Sequence, residues 1–86
     1  MSLNVELGNP AKKFLQNCDK ILYERLMEKI RALAVDPFPS DAKRVVGKTD
    51  KLFRVRIGKY RITYVVFYER HLILIADVDK RDRIYT

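Results

Sequence analysis

Leu3, Val5 and Leu7 alternate with polar residues, and this period of two predicts a short half-buried strand over Ser2 to Leu7, closed by Gly8. The period then lengthens. Asn9-Pro10 reads as a helix start, because Asn can cap and Pro is tolerated at the first helical position. Ala11, Phe14, Leu15 and Cys18 follow at helical spacing as an apolar stripe. Asp19 can cap a second, longer helix in which Leu22, Leu26, Ile30 and Leu33 run beside Tyr23, Met27 and Ala34. Two such consecutive helices make an antiparallel hairpin. Asp36-Pro37-Phe38-Pro39 ends it, since a residue before Pro avoids the helical region and two prolines do not fit a helix interior.

From Ala42 onward the period returns to two. Arg44 to Val46 reads as a weak strand, Lys51 to Ile57 as a strong one, Tyr60 to Tyr68 as another. His71 to Val78 is a nearly continuous apolar run, typical of a strand interior to a sheet. Gly58-Lys59 suits a two-residue hairpin turn with Gly first, and Glu69-Arg70 suits a second tight turn. The tail, Asp79 to Thr86, mixes charge with Ile84 and Tyr85. No repeat or linker interrupts the 86 residues, so residues 1–86 are expected to form a single domain. The fold class is α+β: an N-terminal strand and a helical hairpin packed on one face of a mostly antiparallel sheet of four to five strands.

The proposed turn fixes a register. With Gly58-Lys59 at the bend, Ile57 pairs with Tyr60, Arg56 with Arg61, Val55 with Ile62, Arg54 with Thr63 and Phe53 with Tyr64. Phe53, Val55, Ile57, Tyr60, Ile62 and Tyr64 then face the helices, while Arg54, Arg56 and Arg61 share the opposite face. Arg56 opposite Arg61 is a like-charge pair, unfavourable in a small protein unless it serves a purpose. Clustered guanidinium groups suit oxyanions, because each offers a planar fork of donors and stays charged at any working pH. Phosphate is the obvious guest. The plainer reading leaves these arginines as the solvated face of a half-exposed sheet, their stems lying over Val65 or Leu74.

Composition sharpens this picture. The net charge of +7 lies wholly in residues 42–86, which hold twelve bases against five acids, whereas residues 1–41 hold six of each. Such asymmetry suits a surface that meets a polyanion. Lys43, Arg44, Lys48 and Lys51 precede or open the first strong strand, and Lys80, Arg81 and Arg83 follow the last, so these segments are expected to converge with the three arginines on one concave, anion-binding face. A single cysteine and a single histidine exclude an internal disulfide and leave no plausible metal cluster, so neither metal nor cofactor is expected. Cys18 belongs to the apolar stripe and reads as inert, and His71 reads as a surface residue at a hairpin corner. No stretch approaches the roughly 20 apolar residues of a membrane span, and no signal peptide opens the chain, so a cytoplasmic protein without membrane contact is expected. No phosphate-binding glycine loop, nucleophile motif or paired-carboxylate site stands out.

Across essentially its whole length the sequence resembles the RelE-like toxins of the RelE/ParE toxin–antitoxin superfamily. The resemblance is carried by the early strand with PAKKFLQ, the DPFP break, the hairpin KLFRVRIGKYRITYVV with Gly58, Tyr60, Arg61 and Tyr64 at its centre, and the apolar strand running into DKRDRIY. It implies ribosome-dependent cleavage of messenger RNA in the A site, held in check by a cognate antitoxin of the RelB type. Arg61 matches a phosphate-binding arginine of the central strand, and Arg81 the arginine after the last strand. Tyr85 corresponds to a C-terminal tyrosine that orients the nucleotide, although it follows Arg81 more closely than in the best-studied member. Arg54 falls where those members carry a strand lysine acting as base, and their other strand lysine is replaced by Leu52, with Lys51 next door. An arginine is a poor general base, so Arg54 suits charge stabilisation instead.

The catalytic set implied by the resemblance is therefore Arg54, Arg61, Arg81 and Tyr85. Lys43, Arg44, Lys48, Lys51, Arg56, Lys80 and Arg83 would bind RNA. Two other readings stay open: a ParE-like toxin that poisons DNA gyrase, and a non-catalytic RNA-binding module.

Overall fold

Gly8 sets the first corner of the fold. The computed structural model describes residues 2–45 and 51–80. Strand β1 (Asn4–Leu7) leads directly into helix α1 (Asn9–Asn17), and Gly8 is the cap residue between them. A Cβ at Gly8 would stand 3.2 Å from the carbonyl oxygens of both Ile75 and Ala76, a tighter contact than side chains usually make, so glycine suits this close backbone approach. Its N–H donates to Ile75 O at 2.8 Å and its carbonyl accepts from the Lys12 N–H at 2.9 Å. The cap thus lies one residue before the expected Asn9, which starts the helix itself, and no side chain caps this end.

Helix α2 (Lys20–Val35) begins as its sequence signals. The Asp19 carboxylate accepts from the Leu22 N–H at 2.8 Å, satisfying one of the donors a helix start leaves open. Asp36 ends the helix, its N–H donating to Ala32 O. Leu26, Ile30, Leu33 and Ala34 bury one face of α2, joined by Ala11 and Leu15 from α1. Tyr23, expected beside this stripe, stays exposed.

The sheet has five strands in the order β1-β5-β4-β3-β2, formed with β2 (Lys43–Arg44), β3 (Leu52–Ile57), β4 (Tyr60–Phe67) and β5 (Leu72–Lys80). Neighbours from β2 to β5 pair antiparallel, and β1 joins β5 in parallel at the edge. Of the weak strand expected at Arg44 to Val46, Arg44 pairs with β3, the strand starting one residue earlier at Lys43, and Val46 lies outside the described residues. The β4–β5 connection is a 3-10 turn over Tyr68–Arg70, followed by His71 in the left-handed region with φ of 56°, in place of a two-residue turn. A register shift at Thr63/Tyr64 leaves Ala76 without a partner on β4.

Both helices lie on one face of the sheet, where Val55, Ile62, Tyr64, Ile73, Ile75 and Val78 are buried against them. The Tyr64 hydroxyl donates to Pro37 O at 2.6 Å, which ties the segment after α2 to the central strand. Burial pushes the Tyr64 phenol up to about 12, with the charges of Asp41 and Asp36 adding to the shift. This face is filled; the chemistry of interest lies on the other.

Candidate nucleic-acid interface

Gly58 has φ of +57°, a left-handed conformation that costs an L-residue with a side chain and that a two-residue hairpin requires at its first position. The bend yields the register read from the sequence: Ile57 opposite Tyr60, Arg56 opposite Arg61, Val55 opposite Ile62, Arg54 opposite Thr63 and Phe53 opposite Tyr64. Since side chains alternate along a strand, Arg54, Arg56 and Arg61 occupy the face turned away from the helices.

Two cross-strand rows organise this outer face. One runs Lys43, Arg54, Thr63, Asp77 across four strands, and the other runs Arg56, Arg61, Asp79 across three. Arg56 is exposed, while Arg54 and Arg61 are half-buried. Among the described residues none of the three arginines enters an ion pair, and the Arg61 Nε is buried without a hydrogen-bond acceptor. A buried donor in that state is costly until something supplies a lone pair. Beyond these rows the same face turns apolar, with Leu52, Val65, Phe67, Leu72 and Leu74 half-buried.

Lys43, Arg54 and Arg56 also line a hollow of about 280 Å³, and the fourth residue in its wall is Asp41. This acid escaped notice in the sequence because it belongs to the charge-balanced first half. Asp41 precedes β2 within a turn, so strand alternation does not place it, and no local signal marked it. A turn closed by the Ala42 N–H on Pro39 O, 2.9 Å, holds Asp41 in place, and Lys29 of α2 reaches its Oδ2 at 3.1 Å. The Lys29 ammonium holds the Asp41 carboxyl below its ordinary value.

The other candidates separate. Arg44 is opposite Phe53, so its register position belongs to the helix side of the sheet, and Lys51 is exposed just before β3. Lys80 is opposite Tyr60 and lines a groove of about 650 Å³ beside Phe14, Cys18, Leu22 and Val78, on the helix side and away from the arginines. Lys48, Arg81, Arg83 and Tyr85 lie outside the described residues. Cys18 is half-buried in that groove, its Sγ donating to Leu15 O at 3.5 Å, and burial together with the Asp19 charge raises its thiol above the ordinary range, so little thiolate forms. His71 is exposed at the far end of the hairpin from the arginines. Among the described residues no helix is long and apolar enough to cross a membrane.

Comparison with known proteins adds to this geometry. A family model described as the ParE toxin of type II toxin–antitoxin systems matches residues 5–85. A protein of Methanocaldococcus jannaschii named toxin RelE1 is 34% identical over 88 residues, which span 99% of this chain and 97% of that one. A chain in the crystal structure of the archaeal RelE–RelB complex from Pyrococcus horikoshii is 31% identical, with a TM-score of 0.81 over 98% of this chain and 100% of its own. The isolated E. coli RelE toxin superposes with a TM-score of 0.82 over 96% of this chain and 88% of that one; at 18% identity this likeness concerns the fold.

Proposed function

Because the chain belongs to the ParE toxin family of type II toxin–antitoxin systems and is a RelE-like toxin, we propose that it is a ribosome-dependent endoribonuclease that cuts messenger RNA in the A site and so inhibits translation. The observation that carries this reading is the set of three guanidinium groups held on one sheet face outside any ion pair among the described residues, one of them with a buried donor still unsatisfied. A solvated face offers no reason for that donor to be buried.

The reaction is attack by a ribose 2′-hydroxyl on its adjacent phosphate, giving a cyclic phosphate and a free 5′-hydroxyl. RNA alone supplies that nucleophile. Arg54 and Arg61, with Arg81 assigned on the resemblance, stabilise the charge that builds on the phosphorane without a metal ion, and preorganised donors of this kind are worth ~10² to 10³ in rate apiece. Tyr85 orients the nucleotide. Arg56, Lys51 and Lys43 hold flanking phosphates, and the wider basic surface docks on ribosomal RNA with steep salt dependence. The ribosome supplies the reactive geometry of the message, which a protein of this size does not.

A cognate antitoxin of the RelB type, in the cytoplasm, completes the proposal. The basic rows and the neighbouring apolar patch together suit an amphipathic acidic helix, and the Pyrococcus horikoshii relative is seen with its RelB.

The test is primer-extension mapping of messages in a purified translation system. Wild-type protein should cut within the A-site codon, and Arg61→Ala should slow the cut ~100-fold or more. An Arg61→Ala protein that cuts at the original rate overturns the assignment. The name of the matching family model favours a second reading, poisoning of DNA gyrase, which predicts trapped gyrase–DNA complexes and whole messages in the same extract.

A further inference from the structure

The 2′-hydroxyl attack must release a proton, and among the described residues the carboxylates on or beside the outer face are Asp77 and Asp79 of β5, opposite Thr63 and Arg61, and Asp41. Arginine does not give up its proton at working pH, and a lysine ammonium has none of its lone pair available. Asp41 is the carboxylate that shares the 280 Å³ hollow with Lys43, Arg54 and Arg56. It is fixed from two sides, by the turn from Pro39 to Ala42 and by Lys29 at 3.1 Å, yet its side chain remains 52% exposed. A carboxylate spent only on structural pairing has no need to open into the hollow that Arg54 and Arg56 line.

We infer, on the strength of the ribonuclease reading, that Asp41 is the base that accepts the proton of the attacking 2′-hydroxyl. The O–H bond breaks and its proton passes to the Asp41 carboxylate, while the electron pair left on oxygen forms the new bond to phosphorus. The bond from phosphorus to the 5′ oxygen breaks with its electron pair on that oxygen, which takes a proton from water. Asp41 then returns its proton to the hydroxide so formed, and the enzyme is restored.

The groups facing Asp41 make it a base that is always ready. Lys29 from α2 pairs with it, Lys43 from β2 and Arg54 and Arg56 from β3 line the same hollow, and the Tyr64 phenol of β4 stays protonated with its value near 12. With its carboxyl held below the ordinary range, Asp41 is ionised throughout neutral pH. It is a weak base in constant supply, so the rate should be insensitive to pH near neutrality.

Single-turnover cleavage by the full chain on programmed ribosomes, followed from about pH 6 to about pH 8.5, tests this. Wild-type protein should give a flat profile. Asp41→Asn should cut ~100-fold more slowly and regain rate about tenfold per pH unit, as hydroxide replaces the lost base. Asp41→Glu, which keeps a carboxylate in the hollow, should cut faster than Asp41→Asn and keep the flat profile. A wild-type rate that climbs with pH, an Asp41→Asn protein at wild-type rate, or an Asp41→Glu protein as slow and as pH-dependent as Asp41→Asn each overturns the inference and leaves the ribonuclease reading standing. A wild-type protein that leaves messages whole overturns both.

Discussion

Replacing Arg56 with threonine should make the protein more stable and less able to hold RNA. Arg56 and Arg61 are directly opposite, one step in from the pair that closes the Gly58 turn. That is a non-hydrogen-bonded position, where facing side chains stand closest. Like charges so placed cost ~0.2 to 1 kcal/mol, and removing one returns that amount. With a urea dependence of about 1 kcal/mol per molar for a chain of this size, the midpoint should rise by ~0.2 to 1 M. Threonine also favours strands, so the rise contains a part unrelated to charge. Salt separates the two: at about 1 M the screening length falls to ~3 Å and the electrostatic part should vanish while the propensity part remains. Urea unfolding of both proteins at low and high salt is the assay, with RNA binding measured alongside; loss of one phosphate contact should flatten the salt slope of binding by about one. A midpoint that does not rise at low salt, or a gain that high salt leaves intact, would refute the claim that these two guanidinium groups strain each other.

Tyr64→Phe removes the hydroxyl that holds Pro37 O and should cost ~1 to 3 kcal/mol in urea unfolding at neutral pH. Because the folded phenol titrates near 12 and the unfolded one near 10, the wild-type advantage is complete below about pH 10 and should close as pH rises toward 12; a gap constant over that window would show that the phenol is not buried as described. Gly58→Ala meets no clash, its Cβ lying 3.9 Å from the Arg25 Nη2, so its cost is the left-handed backbone alone, ~1 to 2 kcal/mol in the same assay. Unchanged stability would mean that the turn relaxes and does not hold the register.

Local chemistry made much of the fold legible. Asp19 caps α2, the prolines after Asp36 end the helical hairpin, and Gly58 sets a register that matches the sequence reading pair for pair. Each of these signals acts over a few residues. What stayed hidden depends on partners far away in the chain. Nothing in Asn4–Leu7 announces a parallel pairing with β5, and the choice of Gly8 over Asn9 as cap follows from the nearness of Ile75 and Ala76. The same holds for the site. The three arginines share a face by alternation alone, whereas Asp41 joins them through a turn and a lysine twelve residues earlier. Lys80 was expected beside the arginines, but the strand carries it to Tyr60 on the helix side.

The shift at Thr63/Tyr64 decides what β5 does with its acids. Ile73 and Ile75 point into the protein, and unbroken alternation would send Asp77 and Asp79 after them, two bare charges in an oily interior. Skipping Ala76 advances the strand by half a step. Val78 takes the inward place, and the aspartates come to the outer face, half-buried opposite Thr63 and Arg61. One surplus alanine therefore keeps two carboxylates out of the apolar layer beneath the helices.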